Sequence, residues 1–543
     1  MLSFSSEKIK ETSARSARSA ATAMEIELST VLLLLPFLLL GFLYLTGGVL
    51  RSGGNARRRL APAPRGLPVI GNLHQVGALP HRALRALAAA TGAPHLLRLR
   101  LGHVTALVAS SPAAAAAVMR EHDHVFATRP YFRTAEILTY GFKDLVFAPY
   151  GEHWRHARRL CSEHVLSAAR SHRYGPMREQ EVALLVNAIR TEAAAAAVDV
   201  SKALYAFTNA VICRAVSGRL SREDEGRSEL FRELIEENAT LLGGFCVGDY
   251  FPALAWADAF LSGFAARACR NLRRWDELLE EVIAEHEARL RGGDDGGGEE
   301  HREEDFVDVL LALQEESQRH DGSFKLTRDI IKSLLQDMFA AGTDTSFITL
   351  EWAMSELVKN PAAMRKLQDE VRRGGGATTA ATPYLKAVVK ETLRLHPPVP
   401  LLVPRECARD TDDDATVLGY HVAGGTRVFV NAWAIHRDAG AWSSPEEFRP
   451  ERFLPGGGEA EAVDLRGGHF QLVPFGAGRR VCPGMQFALA TVELALASLV
   501  RLFDWEIPPP GELDMSDDPG FTVRRRIPLR LVAKPVGSED DKK

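Results

Sequence analysis

The chain has 543 residues, 46% hydrophobic and 25% charged, a balance that fits a folded globular protein and excludes a disordered one. Its 66 Lys and Arg against 70 Asp and Glu leave a formal charge of −4, so no charge excess points to nucleic acid. The cysteines at 161, 213, 246, 269, 407 and 482 include no C-x-x-C spacing, which excludes a zinc ribbon or thioredoxin-type site and fits a reducing compartment.

The first element along the chain is apolar. Residues 28–50 carry no charge and centre on VLLLLPFLLLGFLYL (31–45). Roughly 20 such residues span a bilayer core, so a retained transmembrane anchor is expected there. The alternative is a cleaved signal peptide, but the run exceeds a usual h-region and no small-residue cleavage site follows it. Pro36 inside the run is tolerated in a lipid-facing helix. Residues 1–27 read as a leader or lumenal N-terminus, and 1–23 are absent from the mature chain if translation begins at Met24. From Met24 the stretch before the span holds no basic residue, whereas Arg51, Arg57, Arg58, Arg59 and Arg65 follow it. The positive-inside rule then places the body of the chain in the cytosol. Residues 51–66 form a basic, Pro-rich linker, 67–536 the main domain and 537–543 a frayed polar tail.

The main domain reads as mostly helical. APAPRGLPVIGN (61–72) is a stiff, non-helical connector. HLLRLRLG (95–102) and VTALVAS (104–110) predict two strands about a short turn. EHDH (121–124) carries donor atoms suited to a metal, but it adjoins FATRP and is expected at the surface. In WRHARR (154–159), Trp154 and Arg158 fall at i and i+4 on one helix face, which a plain amphipathic helix also explains. Asn238-Ala239-Thr240 is a glycosylation sequon that a cytosolic domain would not use. RGGDDGGGEEHREE (291–304) predicts a solvated loop.

Farther on, Ile331, Leu334, Leu335 and Met338 mark an apolar helix face, and ITLEWAMSELVKN (348–360) continues the helix to Pro361. Between them lies AGTDTS (341–346), built of poor helix formers. A threonine there can bond back to the preceding turn and bend the helix; the alternative is a small-residue notch for packing. Gly374-Gly375-Gly376 predicts a loop and not a phosphate cradle. In KETLRLHPP (390–398), Glu391 and Arg394 can pair at i and i+3, a contact worth only tenths of a kcal/mol when exposed. VFVNAWAI (428–435) and PLRLVA (528–533) predict strands, and MQFALATVELALASLVRLFDW (485–505) a long helix.

Chemistry concentrates in PFGAGRRVCPG (474–484), an F-x-x-G-x-R-x-C-x-G pattern carried by Phe475, Gly478, Arg480, Cys482 and Gly484. A thiolate is an electron-rich ligand for haem iron and favours O–O cleavage. Glycines let the backbone approach a macrocycle closely, and an arginine can pair a propionate. The helix after Cys482 directs its N-terminal dipole at the sulfur and favours the anion. A buried structural cysteine in a Gly-rich turn is the plain alternative; the five fixed positions favour haem ligation.

These motifs, with FRPERF (448–453), follow the order of the cytochrome P-450 superfamily, and the chain resembles its plant microsomal A-type branch over essentially 60–536. The resemblance implies a mainly α fold with small β-sheets, preceded by the N-terminal transmembrane helix. It implies haem b ligated by Cys482, with Phe475, Gly478, Arg480, Gly484, Trp154, Arg158 and Arg405 as further cofactor-binding residues. Glu391, Arg394 and Arg452 would form a buried structural cluster that locks the cysteine loop. A distortion at AGTDTS would open room for dioxygen, with Thr345 hydrogen-bonding it and Asp344 relaying protons. Residues 396–403 would line the substrate pocket, with Leu401, Leu402 and Phe339 making it hydrophobic. The implied partners are an NADPH-dependent flavoprotein reductase, docked through a basic face that includes Arg155 and Arg159, and membrane lipid. The implied setting is the endoplasmic reticulum membrane, single-pass, with the catalytic domain facing the cytosol. The implied activity is insertion of one atom of O2 into a hydrophobic small molecule of plant specialised metabolism. Two other readings are an O2-independent haem-thiolate isomerase or dehydratase, which the Asp344–Thr345 pair argues against, and a non-catalytic membrane haem-binding protein. One departure stands out: between EVRR (370–373) and YLKAVVKETLR (384–394) only GGGATTAATP remains, where the family usually carries a short helix.

Overall fold

The computed structural model describes residues 59–194, 197–218, 225–258, 263–291, 305–319, 324–373, 382–409, 416–456 and 458–537. The expected leader, anchor and first part of the linker (1–58), most of the Gly-rich loop (292–304), the shortened segment 374–381 and the tail 538–543 lie outside the described residues.

The longer helices are α1 (Pro80–Ala90), α2 (Glu152–Cys161), α3 (Gly175–Ala193), α4 (Val200–Ser217), α5 (Glu225–Leu242), α6 (Phe264–Arg291), α7 (Phe306–Arg319), α8 (Arg328–Lys359), α9 (Pro361–Arg373), α10 (Pro383–Leu395) and α11 (Met485–Leu502). The strands are β1 (Leu96–Leu101), β2 (Val104–Ala109), β3 (Val198–Asp199), β4 (Arg405–Glu406), β5 (Arg427–Val430), β6 (Phe503–Glu506), β7 (Asp517–Asp518), β8 (Arg524–Arg525) and β9 (Arg530–Pro535). One sheet has the order β1-β2-β5-β4, with β2 and β5 parallel and the other pairs antiparallel. A second has the order β3-β9-β6, and β7 pairs with β8.

α8 is the axis of the helical layer. Thr327 caps its start by accepting from the Ile330 N–H, and the helix ends at Asn360, before Pro361. From Ser346 to Leu357 every residue is buried, the mark of a helix enclosed on all sides. It packs along α4 and against α6, α10 and α11. α11 is, among the described residues, the one helix long and apolar enough to cross a membrane by length and composition. Its packing among α3, α8 and α9 accounts for that apolarity.

Two of the predicted elements end differently. The strand expected over 428–435 stops at Val430, because Asn431 accepts from the Ala434 N–H and caps a short helix, Ala432–Ile435. The helix expected to reach Trp505 stops at Leu502, because Phe503–Glu506 pairs with β9.

Two apolar cores meet at the cysteine loop. Leu472 and Phe487 belong to the helical core, whereas Val473 and Ala477 belong to the core under the first sheet. A buried ionic cluster supports this seam. Glu391, Arg394 and Arg452 are essentially without solvent exposure. Arg394 forks onto Glu391 at 2.7 and 2.9 Å, and Arg452 Nε donates to Glu391 Oε1 at 3.1 Å. Arg394 also donates to the carbonyls of His436, Pro445 and Glu447. His436 completes the link: its Nδ1 faces the Arg394 carbonyl at 3.2 Å, and its Nε2 accepts from the Val473 N–H at 2.9 Å. The cluster thus reaches the chain two residues before Phe475. An accepting Nε2 requires a neutral ring, and burial, with Arg394 and Arg437 nearby, pushes the His436 pKa down to about 3.

Two outcomes are expected. Glu391→Ala leaves the buried Arg394 with no carboxylate and Arg452 with Glu459 alone, and should cost about 3–5 kcal/mol in urea unfolding; a loss under about 1 kcal/mol would contradict the cluster's role. The folded His436 pKa lies below the unfolded value, so its contribution is complete above about pH 6.5 and is lost as pH falls toward 3. His436→Gln should therefore flatten the acid limb of the stability profile over that window, and an unchanged limb would count against it.

Candidate active site

A cavity of about 330 Å³ opens between α8 and the cysteine loop, and Cys482 lies in its wall. The loop is closed by a hydrogen bond from the Cys482 N–H to the Phe475 carbonyl, 2.9 Å. Gly476 and Gly478 adopt φ of +68° and +69°, a region that side chains disfavour. Burial pushes the Cys482 thiol pKa up, while the backbone N–H groups of Gly484 and Met485 and the charge of Arg158 pull it down. Those N–H groups open α11, so the helix dipole also favours the thiolate.

Four guanidiniums line the same cavity: Arg129, Arg158, Arg405 and Arg480. Arg480 donates to the carbonyls of Ala127 and Ala148 and sits 4.3 Å over the Trp154 ring. Burial and the neighbouring Arg405 push its pKa down to about 9. Arg129 donates to the carbonyls of Val146, Val403 and Pro404, and burial, then Arg480 and Arg405, lower it well below the ordinary range. Arg405 donates to Asp123 and to the Ala477 carbonyl. Arg158 is half-buried, lies 5.9 Å from the Trp154 ring centroid, and has no hydrogen-bond partner among the described residues. The nearby acids compensate poorly. Burial raises Asp144 to about 6, and burial and Asp144 together hold Asp337 well above the carboxylate range. A cavity with a thiol on one wall and mutually repelling arginines beside it suits a metal macrocycle bearing carboxylates, so the residues fit haem.

On the same cavity, α8 presents Gly342, Asp344, Thr345 and Ser346. The Asp344 carboxylate accepts from Arg524 at 2.9 Å, and Arg524 also reaches Glu236 on α5 at 2.8 Å. The Thr345 hydroxyl donates to the Ala341 carbonyl at 2.8 Å.

Most of the residues singled out in the sequence converge here: Cys482, Phe475, Arg480, Gly484, Trp154, Arg158, Arg405, Asp344 and Thr345 all line the cavity. Gly478 supports the loop by packing: a Cβ there would meet the Met119 carbonyl at 2.3 Å and Asp123 at 2.5 Å, so it lets the loop pack on residues 119–123. Several expectations need correction. Asp123, expected at the surface, is buried and pairs with Arg405 and Arg479. α8 runs unbroken through AGTDTS, and Gly342 is a packing notch as well, since a Cβ there would lie 2.8 Å from Ile212 on α4. Leu402 lines the cavity, but Leu401 packs with the sheet and Phe339 against Phe231. Arg129 and Arg524 were not foreseen. The FATRP stretch that holds Arg129 was the available signal; nothing in the sequence ties Arg524 to Asp344 across 180 positions.

The family model described as Cytochrome P450 matches residues 61–531. The chain is 46% identical over 485 residues to indole-2-monooxygenase of Zea mays, covering 87% of each chain. It is 44% identical over 476 residues to Cytochrome P450 71A1 of Persea americana, covering 86% of this chain and 91% of that one. A solved zebra fish cytochrome P450 structure with progesterone superposes with a TM-score of 0.67 at 25% identity, over 84% of this chain and 99% of that one.

Because Arg158 has no hydrogen-bond partner among the described residues, Arg158→Gln should leave the unfolding midpoint of the haem-free protein nearly unchanged yet speed haem loss to a scavenging globin about tenfold or more, the loss of one charge-assisted hydrogen bond. An unchanged loss rate would show that Arg158 does not hold the cofactor.

Proposed function

The chain belongs to the cytochrome P450 family and is a plant A-type P450 monooxygenase with haem iron as its cofactor; from that premise we propose how its residues work and where it acts. The single observation that carries the reading is the placement of Cys482 on one wall of the cavity and of Asp344 and Thr345 on another.

Bound through the Cys482 sulfur, haem supplies an electron-rich iron able to activate dioxygen. Burial raises the Cys482 thiol pKa; the N–H groups of Gly484 and Met485 and the charge of Arg158 work against that rise and would favour the ionised sulfur that iron binds. Arg129, Arg158, Arg405 and Arg480 hold the carboxylates of the macrocycle, and Trp154 packs beneath Arg480. Thr345 presents its hydroxyl to the cavity, and Asp344 passes it protons. Arg524 ties Asp344 to Glu236, which is partly exposed, so the acid has a charged connection toward solvent. Glu391, Arg394 and Arg452 support the cysteine loop through His436.

The electrons come from NADPH through a flavoprotein reductase, which docks on a basic face that includes the exposed Arg155 and Arg159. Residues 28–50 anchor the chain as a single span in the endoplasmic reticulum membrane, behind the linker 51–66, and leave the catalytic domain 67–536 in the cytosol; the apolar length of that run supports this. The cavity wall is chiefly apolar, with Phe147, Leu242, Leu402 and Phe521 among its residues, so the substrate is hydrophobic. Relatives named for indole and indolin-2-one oxidation support a small aromatic substrate of specialised metabolism. The presence of both Asp344 and Thr345 in the wall favours oxygen activation over an O2-independent isomerisation.

With reductase, NADPH and a turned-over substrate, one labelled atom from 18O2 should enter each product molecule; turnover without O2 would refute the reading. Thr345→Ala should retain haem while the ratio of released peroxide to product rises about tenfold or more, in the range of general acid–base effects. An unchanged ratio would remove Thr345 from the proton path.

A further inference from the structure

We propose that Asn238 selects the substrate: its side-chain N–H donates to one hydrogen-bond acceptor on an otherwise apolar molecule. The inference rests on the monooxygenase reading and adds to it a specificity-determining residue.

Asn238 stands on the face of α5 that lines the cavity, between Ile235 and Leu242. It is 7% exposed, so its polar atoms need partners from the protein or from whatever occupies the cavity. The orientation of its amide is fixed from behind. Asn271 on α6 donates through Nδ2 both to the Leu234 carbonyl, at 3.2 Å, and to Asn238 Oδ1, at 2.8 Å. The Leu234 carbonyl can only accept, so Asn271 must turn its nitrogen to this side. Asn238 must therefore meet it with oxygen. Its own Nδ2 is left with two N–H groups and no protein partner among the described residues.

That nitrogen retains accessible surface. Among the other unpartnered groups on the wall, Gln336 Oε1 and Thr522 Oγ1 have essentially none, and the Arg158 guanidinium acts on Cys482 and is assigned to the macrocycle. Around Asn238 the wall is apolar and aromatic: Phe147 and Phe521 lie 5.8 Å apart, centroid to centroid, and the Phe521 N–H bonds to the Ala239 carbonyl, which joins this strip to α5. A site with one oriented donor in an apolar wall discriminates strongly against a ligand that leaves the donor unpaired. The matching substrate class is a compact, largely apolar ring system with a single acceptor, such as a carbonyl oxygen.

Calorimetric titration of the purified, haem-loaded protein with 1-tetralone and with tetralin tests this. The two ligands share a skeleton and differ by one carbonyl. The wild type should bind the ketone about threefold to tenfold tighter, the worth of one hydrogen bond. Asn238→Leu and Asn238→Ala should bring that ratio to about one while tetralin binding stays within about threefold, since only the donor is lost. A ratio that survives in either folded variant overturns the proposal. The wild type decides alone if the variants do not fold: equal affinity for the two ligands, or binding of neither, overturns it. The absorption spectrum of the reduced carbon-monoxide complex, recorded first on the same samples, reports thiolate ligation independently of ligand choice. Equal affinity of the wild type for the two ligands with that spectrum intact refutes the role of Asn238 alone, whereas absence of the spectrum in the wild type refutes the monooxygenase reading as well.

Discussion

A buried sulfur carries a negative charge only where its surroundings offset the loss of water. At Cys482, burial alone drives the thiol toward the neutral form. Three groups oppose it: two N–H groups at the start of α11 and the Arg158 guanidinium. Each depends on the local backbone. The N–H groups face the sulfur only because the loop turns back on itself through the Cys482–Phe475 hydrogen bond and two left-handed glycines. The loop keeps that shape because Gly478 presses on residues 119–123 with no side chain between them. Arg158 is available because no acceptor among the described residues claims it.

The same logic extends outward. The loop crosses the seam between the helical core and the sheet core, where packing alone would leave it free to slide. The Glu391–Arg394–Arg452 cluster and the neutral His436 fix it by hydrogen bonds, which are directional where hydrophobic contact is not. A buried ion cluster is a costly way to gain stability. Its use here matches the demand for one defined position of one sulfur atom. The ring of arginines carries a related cost: burial lowers the proton affinity of Arg129, Arg405 and Arg480, Arg405 lowers Arg480 further, Arg480 and Arg405 lower Arg129 further, and all three donate to backbone carbonyls. Carboxylates of the bound macrocycle would complete that balance and so couple cofactor binding to folding.

Much of this site was legible in the sequence because its chemistry is local. Cys482 and its glycines lie within eleven residues, and Trp154 and Arg158 share one helix face. Glu391 and Arg394 read as a pair, but their complete burial was not implied by spacing; FRPERF hinted at it through the family resemblance. Contacts between distant segments were the illegible part. EHDH adjoins FATRP and reads as surface, and its Glu121 and His124 are exposed, but Asp123 is not. Its burial follows from Arg405, 282 positions away. Arg129, Arg524 and the orientation of Asn238 are likewise set by long-range partners. Gly342 was legible as a notch or as a site for distortion, and the structure uses it for packing while the helix continues.

α8 is where the two walls of the cavity become one device. It is buried along most of its length, so Asp344 and Thr345 are held in the cavity wall by a helix that cannot readily shift. Everything proposed for them presupposes an iron ligated by Cys482. X-ray absorption at the iron edge of the purified protein tests that ligation most directly. The account predicts one sulfur scatterer at about 2.3 Å, typical of metal–thiolate bonds, which disappears in Cys482→Ser. A first shell of nitrogen and oxygen alone, or a sulfur that persists in the variant, would contradict it.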